Sequence, residues 1–141
     1  MTGNTMLERY VARSNGSSNA GGSTEPDFPS DSETEDLGPF GYIRGATPPI
    51  ALELRKRDGL IMAIGYSWFE RMVFNPSKGI ILHAGEQQII ISGRNLNGEI
   101  RPGIRLFQGL TRHRINWVRE ADQGAILQAD AKAVTVESIA Y

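Results

Sequence analysis

The alternation of apolar and polar residues predicts that regular structure begins near residue 50. Between residues 50 and 55 every second side chain is large and apolar, which is the period of a strand with one buried face. Asp58-Gly59 then marks a tight hairpin, because both central positions of such a turn need positive φ. The apolar run at residues 60–64 supplies the returning strand, so the pattern predicts an antiparallel hairpin.

Three further strands are predicted at residues 72–74, 80–84 and 87–92. The segment 75–79 (NPSKG) has typical turn sequence, since proline presets φ and glycine takes the left-handed conformation. A tight turn at Gly85-Glu86 closes a second hairpin, which completes a meander of about five strands. Between the two hairpins, Tyr66 and Trp68 form an aromatic turn that we expect to pin the loop to the core.

After residue 92 the apolar period changes from two to about 3.6. Large apolar side chains recur at i, i+3 or i+4 and i+7 spacing, at Ile104, Leu106, Phe107, Leu110, Trp117 and Val118. This series predicts a helix at about 102–120 with Trp117 on its inward face. Gly109 in the middle of that helix indicates close approach to the sheet, because glycine otherwise costs about 1 kcal/mol there. Val134 and Val136 alternate beyond it and fit either an edge strand or a loose tail.

The remaining residues lack the apolar side chains that a core needs. Residues 14–49 are rich in Ser, Gly, Asn, Pro and acids. We therefore predict a disordered acidic, Ser/Gly-rich tail at 1–46, an α+β domain at 47–122 and a C-terminal tail at 123–141. The predicted fold is an antiparallel sheet of about five strands covered by one C-terminal helix, with a disordered N-terminal third.

Composition excludes several kinds of chemistry. The chain has no cysteine, which removes disulfides, thiolate metal sites and cysteine nucleophiles. It has two histidines, His83 and His113, and none of the common catalytic or phosphate-binding motifs. We therefore expect a non-catalytic protein without cofactor or metal. No leader pattern and no apolar run of about 20 residues is present, so a cytoplasmic location without membrane partners is expected.

The net charge of −1 conceals a strong asymmetry. Residues 14–43 contain six acids and no Lys or Arg, whereas residues 50–119 contain eleven Lys or Arg against five Asp or Glu. Arginine presents a planar fork to carboxylates and phosphates and stays charged at physiological pH. The candidate binding residues are Arg94, Arg105, Arg112, His113 and Arg119. On the predicted helix Arg105, Arg112 and Arg119 recur every seven residues and share one flank.

Two functions are compatible with these residues. The leading hypothesis is a protein-interaction module that uses the arginine-bearing helix or an open sheet edge. The alternative is a nucleic-acid-associated accessory protein that binds phosphates through the same arginines. Nucleic acid is not favoured, because intramolecular ion pairs or screening by the acidic tail would account for the arginines equally well. An enzyme centred on His113 is a third, weaker alternative, and the oligomeric state stays open.

Three segments carry a resemblance to known sequences: FNPSKGI at 74–80, GRNL at 93–96 and RHRINWVRE at 112–120. With these segments the chain resembles small uncharacterised bacterial proteins over about residues 50–122. The chain differs from them in extra residues around 97–103. The resemblance implies no transferable activity.

Overall fold

A computed structural model describes residues 33–141, which form a mostly β structure with few helices. The strands are β1 (Thr34–Asp36), β2 (Phe40–Ile43), β3 (Ala51–Arg55), β4 (Ile61–Gly65), β5 (Phe69–Asn75), β6 (Gly79–Ala84), β7 (Gln87–Arg94), β8 (Glu99–Arg101), β9 (Ile104–Arg105), β10 (Ile115–Arg119) and β11 (Thr135–Ala140). The helices are α1 (Leu106–Thr111) and α2 (Gln123–Gln128), and a 3-10 turn covers Tyr66–Trp68. None of these helices is long and apolar enough to cross a membrane.

The described strands form three sheets. The first has the order β1-β2-β10-β3-β4, the second has the order β11-β7-β6-β5, and β8 and β9 pair as a small third sheet. Every neighbouring pair is antiparallel except β10 and β3, which run parallel. The predicted strands and both predicted hairpins are confirmed, although in the first turn only Gly59 (φ 99°) and not Asp58 has positive φ. The prediction of one five-stranded meander is wrong, because β3 and β4 lie in the first sheet and β5, β6 and β7 in the second.

One apolar core joins the inner faces of the two larger sheets. It contains Leu52 and Leu54 of β3, Leu82 of β6 and Ile91 of β7, all fully buried. Their spacing of two is the period by which a strand turns one face inward. Leu110 of α1 completes the same cluster, so α1 caps the core rather than covering a sheet.

The predicted helix at 102–120 is wrong, and with it the arrangement of one helix over a five-stranded sheet. Helix α1 has six residues and ends where His113 adopts φ 55°, a left-handed conformation that interrupts the helix. The chain continues as β10, whose Ile, Trp and Val side chains suit a strand. Within β10 Val118 faces the core, whereas Trp117 lies on the outer face of the first sheet and is 5% exposed.

The sheets also extend beyond the predicted domain limits of 47 and 122. Strands β1 and β2 lie inside the segment that composition predicts as a tail, and Phe40 and Ile43 are fully buried there. They are ordered because β10 supplies a long-range pairing partner for β2. The rest of that predicted tail, residues 1–32, lies outside the described residues. At the C-terminal end β11 pairs with β7, so Val136 belongs to an edge strand and not to a loose tail.

Candidate interaction surface

Arg105, Arg112 and Arg119 do not share one flank, because the helix that would align them is absent. Arg94 lies on β7, where its Nε donates to Glu137 Oε2 at 2.8 Å and its Nη2 donates to the carbonyl oxygen of Ile126 at 2.6 Å. Arg105 lies on β9 and donates to the carbonyl oxygen of Asn97 at 3.0 Å. Its guanidinium also lies 4.0 Å from a carboxylate oxygen of Glu99. The guanidinium groups of both arginines therefore bond to other residues of the fold.

Arg119 covers Trp117 on the outer face of the first sheet. The guanidinium carbons of Arg119 and Arg55 each lie 4.7 Å from the centre of the Trp117 ring, a distance suited to cation–π attraction. Arg119 also donates to the carbonyl oxygen of Gly38 at 2.8 Å and pairs with Asp36 at 3.2 Å. Through these contacts Arg119 connects β10 to the β1–β2 turn.

Arg112 and His113 are the two candidates that lie next to each other and outside any ion pair among residues 33–141. Both are exposed, and they follow the end of α1. The His113 ring lies 4.4 Å from the ring of Tyr66, centre to centre. Tyr66 is buried, and its hydroxyl donates to the carbonyl oxygen of Ile115 at 2.6 Å. Burial raises the pKa of the Tyr66 phenol above its ordinary value, because the charged form would lose its hydration.

The prediction that the aromatic turn is pinned to the core is correct for Tyr66 and wrong for Trp68. Trp68 is 68% exposed. It lies against Gly65, where a Cβ atom would be 3.2 Å from Trp68 Cδ1. The indole therefore rests on the outer side of β4, at the position where the strand has no side chain.

Among residues 33–141 the two larger sheets have four edge strands, and three of them carry protective features. β1 has three residues, two of them acidic, while β5 contains two charged residues and a register shift. β11 likewise contains a glutamate and a register shift. Charges, short length and bulges prevent an edge from pairing with another strand. β4 differs in having five uncharged residues in unbroken register with β3.

Two hydrogen bonds at the ends of the β3–β4 hairpin show which backbone groups of β4 are free to pair. The Lys56 N–H donates to the carbonyl oxygen of Leu60 at 2.8 Å, and the Tyr66 N–H donates to that of Ile50 at 2.9 Å. Hydrogen-bonded pairs recur at every second residue of an antiparallel ladder. The N–H and C=O groups of residues 61, 63 and 65 therefore point away from β3. Within the described part of the chain, β3 is the only strand bonded to β4.

The side chains of β4 itself are apolar. Ile61 is 56% exposed, and Ala63 is exposed on the same face, whereas Met62 and Ile64 pack against the core. A shallow cavity of about 270 Å³ adjoins the edge. It is lined by Ala63, Ile64, Gly65, Trp68, Ala84 and Gln87. We name the residues Ile61, Ala63, Gly65 and Trp68 the β4 edge.

A second cleft, of about 600 Å³, lies where the ends of β3 and β10 approach α2. Two of its cations form hydrogen bonds with backbone carbonyl groups of β11 and of Ala121. Arg57 donates to the carbonyl oxygens of Ala121 and Glu137, and Lys56 donates to that of Ile139. The other two cations are the arginines that cover the indole of β10. The cleft is thus a structural junction, and residues 33–141 contain no group of three or more His, Asp or Glu placed to hold a metal ion.

The sequence predicts β4 as a strand but does not identify it as an edge. β4 is an edge because β5, the next strand along the chain, pairs with β6 in the second sheet, so no described strand bonds to the outer side of β4. The available local signal is the uncharged run from Gly59 to Phe69, which ends in three aromatic residues, Tyr66, Trp68 and Phe69.

Comparison with protein-family models, with curated proteins and with solved structures finds no match for this chain. The resemblance to small bacterial proteins stays a prediction. Function is therefore inferred from the geometry of the β4 edge alone.

Proposed function

We propose that this protein is a non-catalytic protein-interaction module that binds an extended segment of a partner protein as an additional strand along β4. The supporting observation is the uncharged, unbulged β4 edge, whose backbone groups at residues 61, 63 and 65 face away from the sheet. In strand addition the main-chain hydrogen bonds supply affinity, and pockets for alternate side chains supply specificity.

The neighbouring side chains define the chemistry of the bound segment. Exposed Ile61 and Trp68 favour apolar residues at alternate positions of that segment. The cavity beside Gly65 provides room for one of these side chains. A run of charged residues would gain little here, because the two charged side chains opposite β4, Arg55 beside Ile61 and Glu53 beside Ala63, are already bonded to each other.

The arginine-bearing helix does not enter the proposal, since residues 102–120 form a short helix and a strand. The nucleic-acid alternative required several arginines to converge on phosphates. Arg94, Arg105 and Arg119 lie on three different strands, each within 4.0 Å of a carboxylate oxygen. No observation on the described residues favours phosphate binding over strand addition.

The test selects linear peptides from a display library against the full chain. The selected peptides are then titrated against two variants, Ile61→Lys and Leu127→Lys. Both changes place a charge at an exposed apolar site, but Leu127 lies on α2, away from the edge, and is 83% exposed. A lysine on an edge strand opposes pairing. We expect at least tenfold weaker binding to Ile61→Lys and unchanged binding to Leu127→Lys.

A second variant separates backbone pairing from side-chain contact. Ala63→Pro removes one outward N–H and leaves the bonds to β3 in place, since that N–H takes no part in the ladder. Circular dichroism establishes that each variant is folded. Peptides that bind both edge variants as tightly as the wild type would contradict the proposed function.

A further inference from the structure

This inference rests on the proposed function and names the partner. We propose that the strand accepted by β4 is β4 of a second copy of this chain. The two strands pair antiparallel about a two-fold axis that passes through Ala63. The outcome is a symmetric dimer in which the two five-stranded sheets become one continuous ten-stranded sheet.

The outward backbone groups are arranged symmetrically about Ala63. In this register Ala63 faces Ala63 of the second copy, and Ile61 faces Gly65 in both directions. All three positions present N–H and C=O groups to the free side, so each pair forms the two hydrogen bonds of a narrow antiparallel pair. A self-complementary patch of this kind is what a two-fold interface requires.

The side chains fit the same register. Ile61, 56% exposed, lies opposite a glycine, and Trp68 lies against that glycine. The exposed indole of one copy therefore covers the exposed isoleucine of the other, and each dimer contains this contact twice. An aromatic ring placed over an edge glycine next to a β-branched side chain is a favourable cross-strand arrangement.

The charge distribution also permits self-pairing. Residues 59–69 contain no charged side chain, so the antiparallel register opposes no like charges along the strand. The other three edges of the larger sheets each contain at least one charge. Shifting the register by two residues in either direction would pair β4 with the Gly59 turn or with the 3-10 turn, and would lose part of the ladder.

The absence of cysteine makes the register directly testable by crosslinking. In a narrow antiparallel pair the Cα atoms lie about 5.5 Å apart, within the range that a disulfide spans. Ala63→Cys is therefore expected to form a disulfide-linked dimer under mild oxidation. Ile61→Cys is expected not to do so, because its counterpart in the second copy lies about 14 Å further along the strand. Ser77→Cys is the control: Ser77 is exposed in the β5–β6 turn, so this variant measures how fast disulfides form by random collision.

Sedimentation equilibrium of the full chain supplies the second measurement. We expect a dimer for the wild type and for Leu127→Lys, and a monomer for Ile61→Lys. Crosslinking of Ala63→Cys should exceed that of Ser77→Cys at least tenfold.

Three results would overturn the inference: a wild type that sediments as a monomer, a dimer that survives Ile61→Lys, or crosslinking of Ala63→Cys no faster than that of Ser77→Cys. If any of these occurs while selected peptides still bind in a manner sensitive to Ile61→Lys, the proposed function stands without the homodimer. If the edge binds neither peptides nor itself, both are rejected.

Discussion

Removal of the Tyr66 hydroxyl should destabilise the fold by an amount that depends on pH. The hydroxyl is buried and donates a 2.6 Å hydrogen bond to the carbonyl oxygen of Ile115 at the start of β10. Tyr66→Phe removes this bond and keeps the ring. A net hydrogen bond contributes about 1 kcal/mol, and a buried carbonyl that loses its donor adds a further cost. We therefore expect a loss of about 1–2 kcal/mol in the free energy of unfolding at pH 7.

The pH dependence follows from the raised pKa of Tyr66. In the unfolded chain the phenol ionises near its ordinary pKa of about 10, whereas in the folded chain burial keeps it protonated to higher pH. The contribution of the protonated Tyr66 is therefore complete below pH 10 and is lost as pH rises through the folded pKa. Each pH unit above 10 lowers the stability of the wild type by about 1.4 kcal/mol relative to Tyr66→Phe, which has no such proton.

Urea denaturation followed by far-ultraviolet circular dichroism at pH 7, 9, 10.5 and 11 measures both effects. The stability difference between the two proteins should be constant from pH 7 to 9 and close to zero near pH 11. The other tyrosines titrate equally in both proteins and cancel. If the stability difference between the two proteins stayed constant up to pH 11, the reasoning would be refuted. Tyr66 would then ionise equally easily in the folded and the unfolded chain.

Three other substitutions test contacts elsewhere in the fold. Gly109→Ala should lower the free energy of unfolding by about 1–3 kcal/mol in spite of its better helix propensity, because the new Cβ would lie 2.6 Å from the buried Ile115 side chain; a stabilised variant in thermal unfolding would contradict this. Glu120→Ala should cost about 2–3 kcal/mol and speed amide exchange in β11, because the carboxylate accepts backbone N–H groups from β11 and from the β3–β4 turn; unchanged exchange would count against that role. Arg119→Ala should lower the free energy of unfolding by about 1 kcal/mol, since one of the two guanidinium groups over the Trp117 ring is lost. The fluorescence emission of Trp117 should shift to longer wavelength, and an unaltered spectrum would contradict this role of Arg119.

The strands from β3 to β7 were predictable because each is bounded by strong local turn chemistry. Gly59 and Gly79 both have positive φ in the structure, as their turns require. Period two and tight turns then specify the pairing within each hairpin. They do not specify that β4 and β5 separate into two different sheets.

The segment after residue 100 was not predictable because its apolar residues satisfy two periods at once. Residues 104–110 and 117–118 together fit a helix, but residues 115–119 alone also fit a strand. The strand is chosen by pairing with β2 on one side and β3 on the other, both of which are distant in sequence. His113 at φ 55° then provides the break that helical periodicity cannot anticipate.

The candidate site was missed for a related reason. The arginines stand out in the sequence because their charge is visible there, whereas the carboxylates that neutralise them come from other elements. Glu137 reaches Arg94 from β11, and Asp36 reaches Arg119 from β1. An edge, in contrast, is defined by what does not pair beside it, which only the complete sheet reveals.

The central position of β10 has a consequence for synthesis on the ribosome. The β3–β4 hairpin is complete at residue 65, but the strand that pairs with the other side of β3 begins only at residue 115, 50 residues later. At about 5–20 residues per second this interval lasts roughly 3–10 s. During that time the nascent chain has two unpaired strand edges instead of one, at both β3 and β4. Nascent chains released before residue 115 should therefore aggregate, and neighbouring chains on one messenger would meet while this second edge is still open.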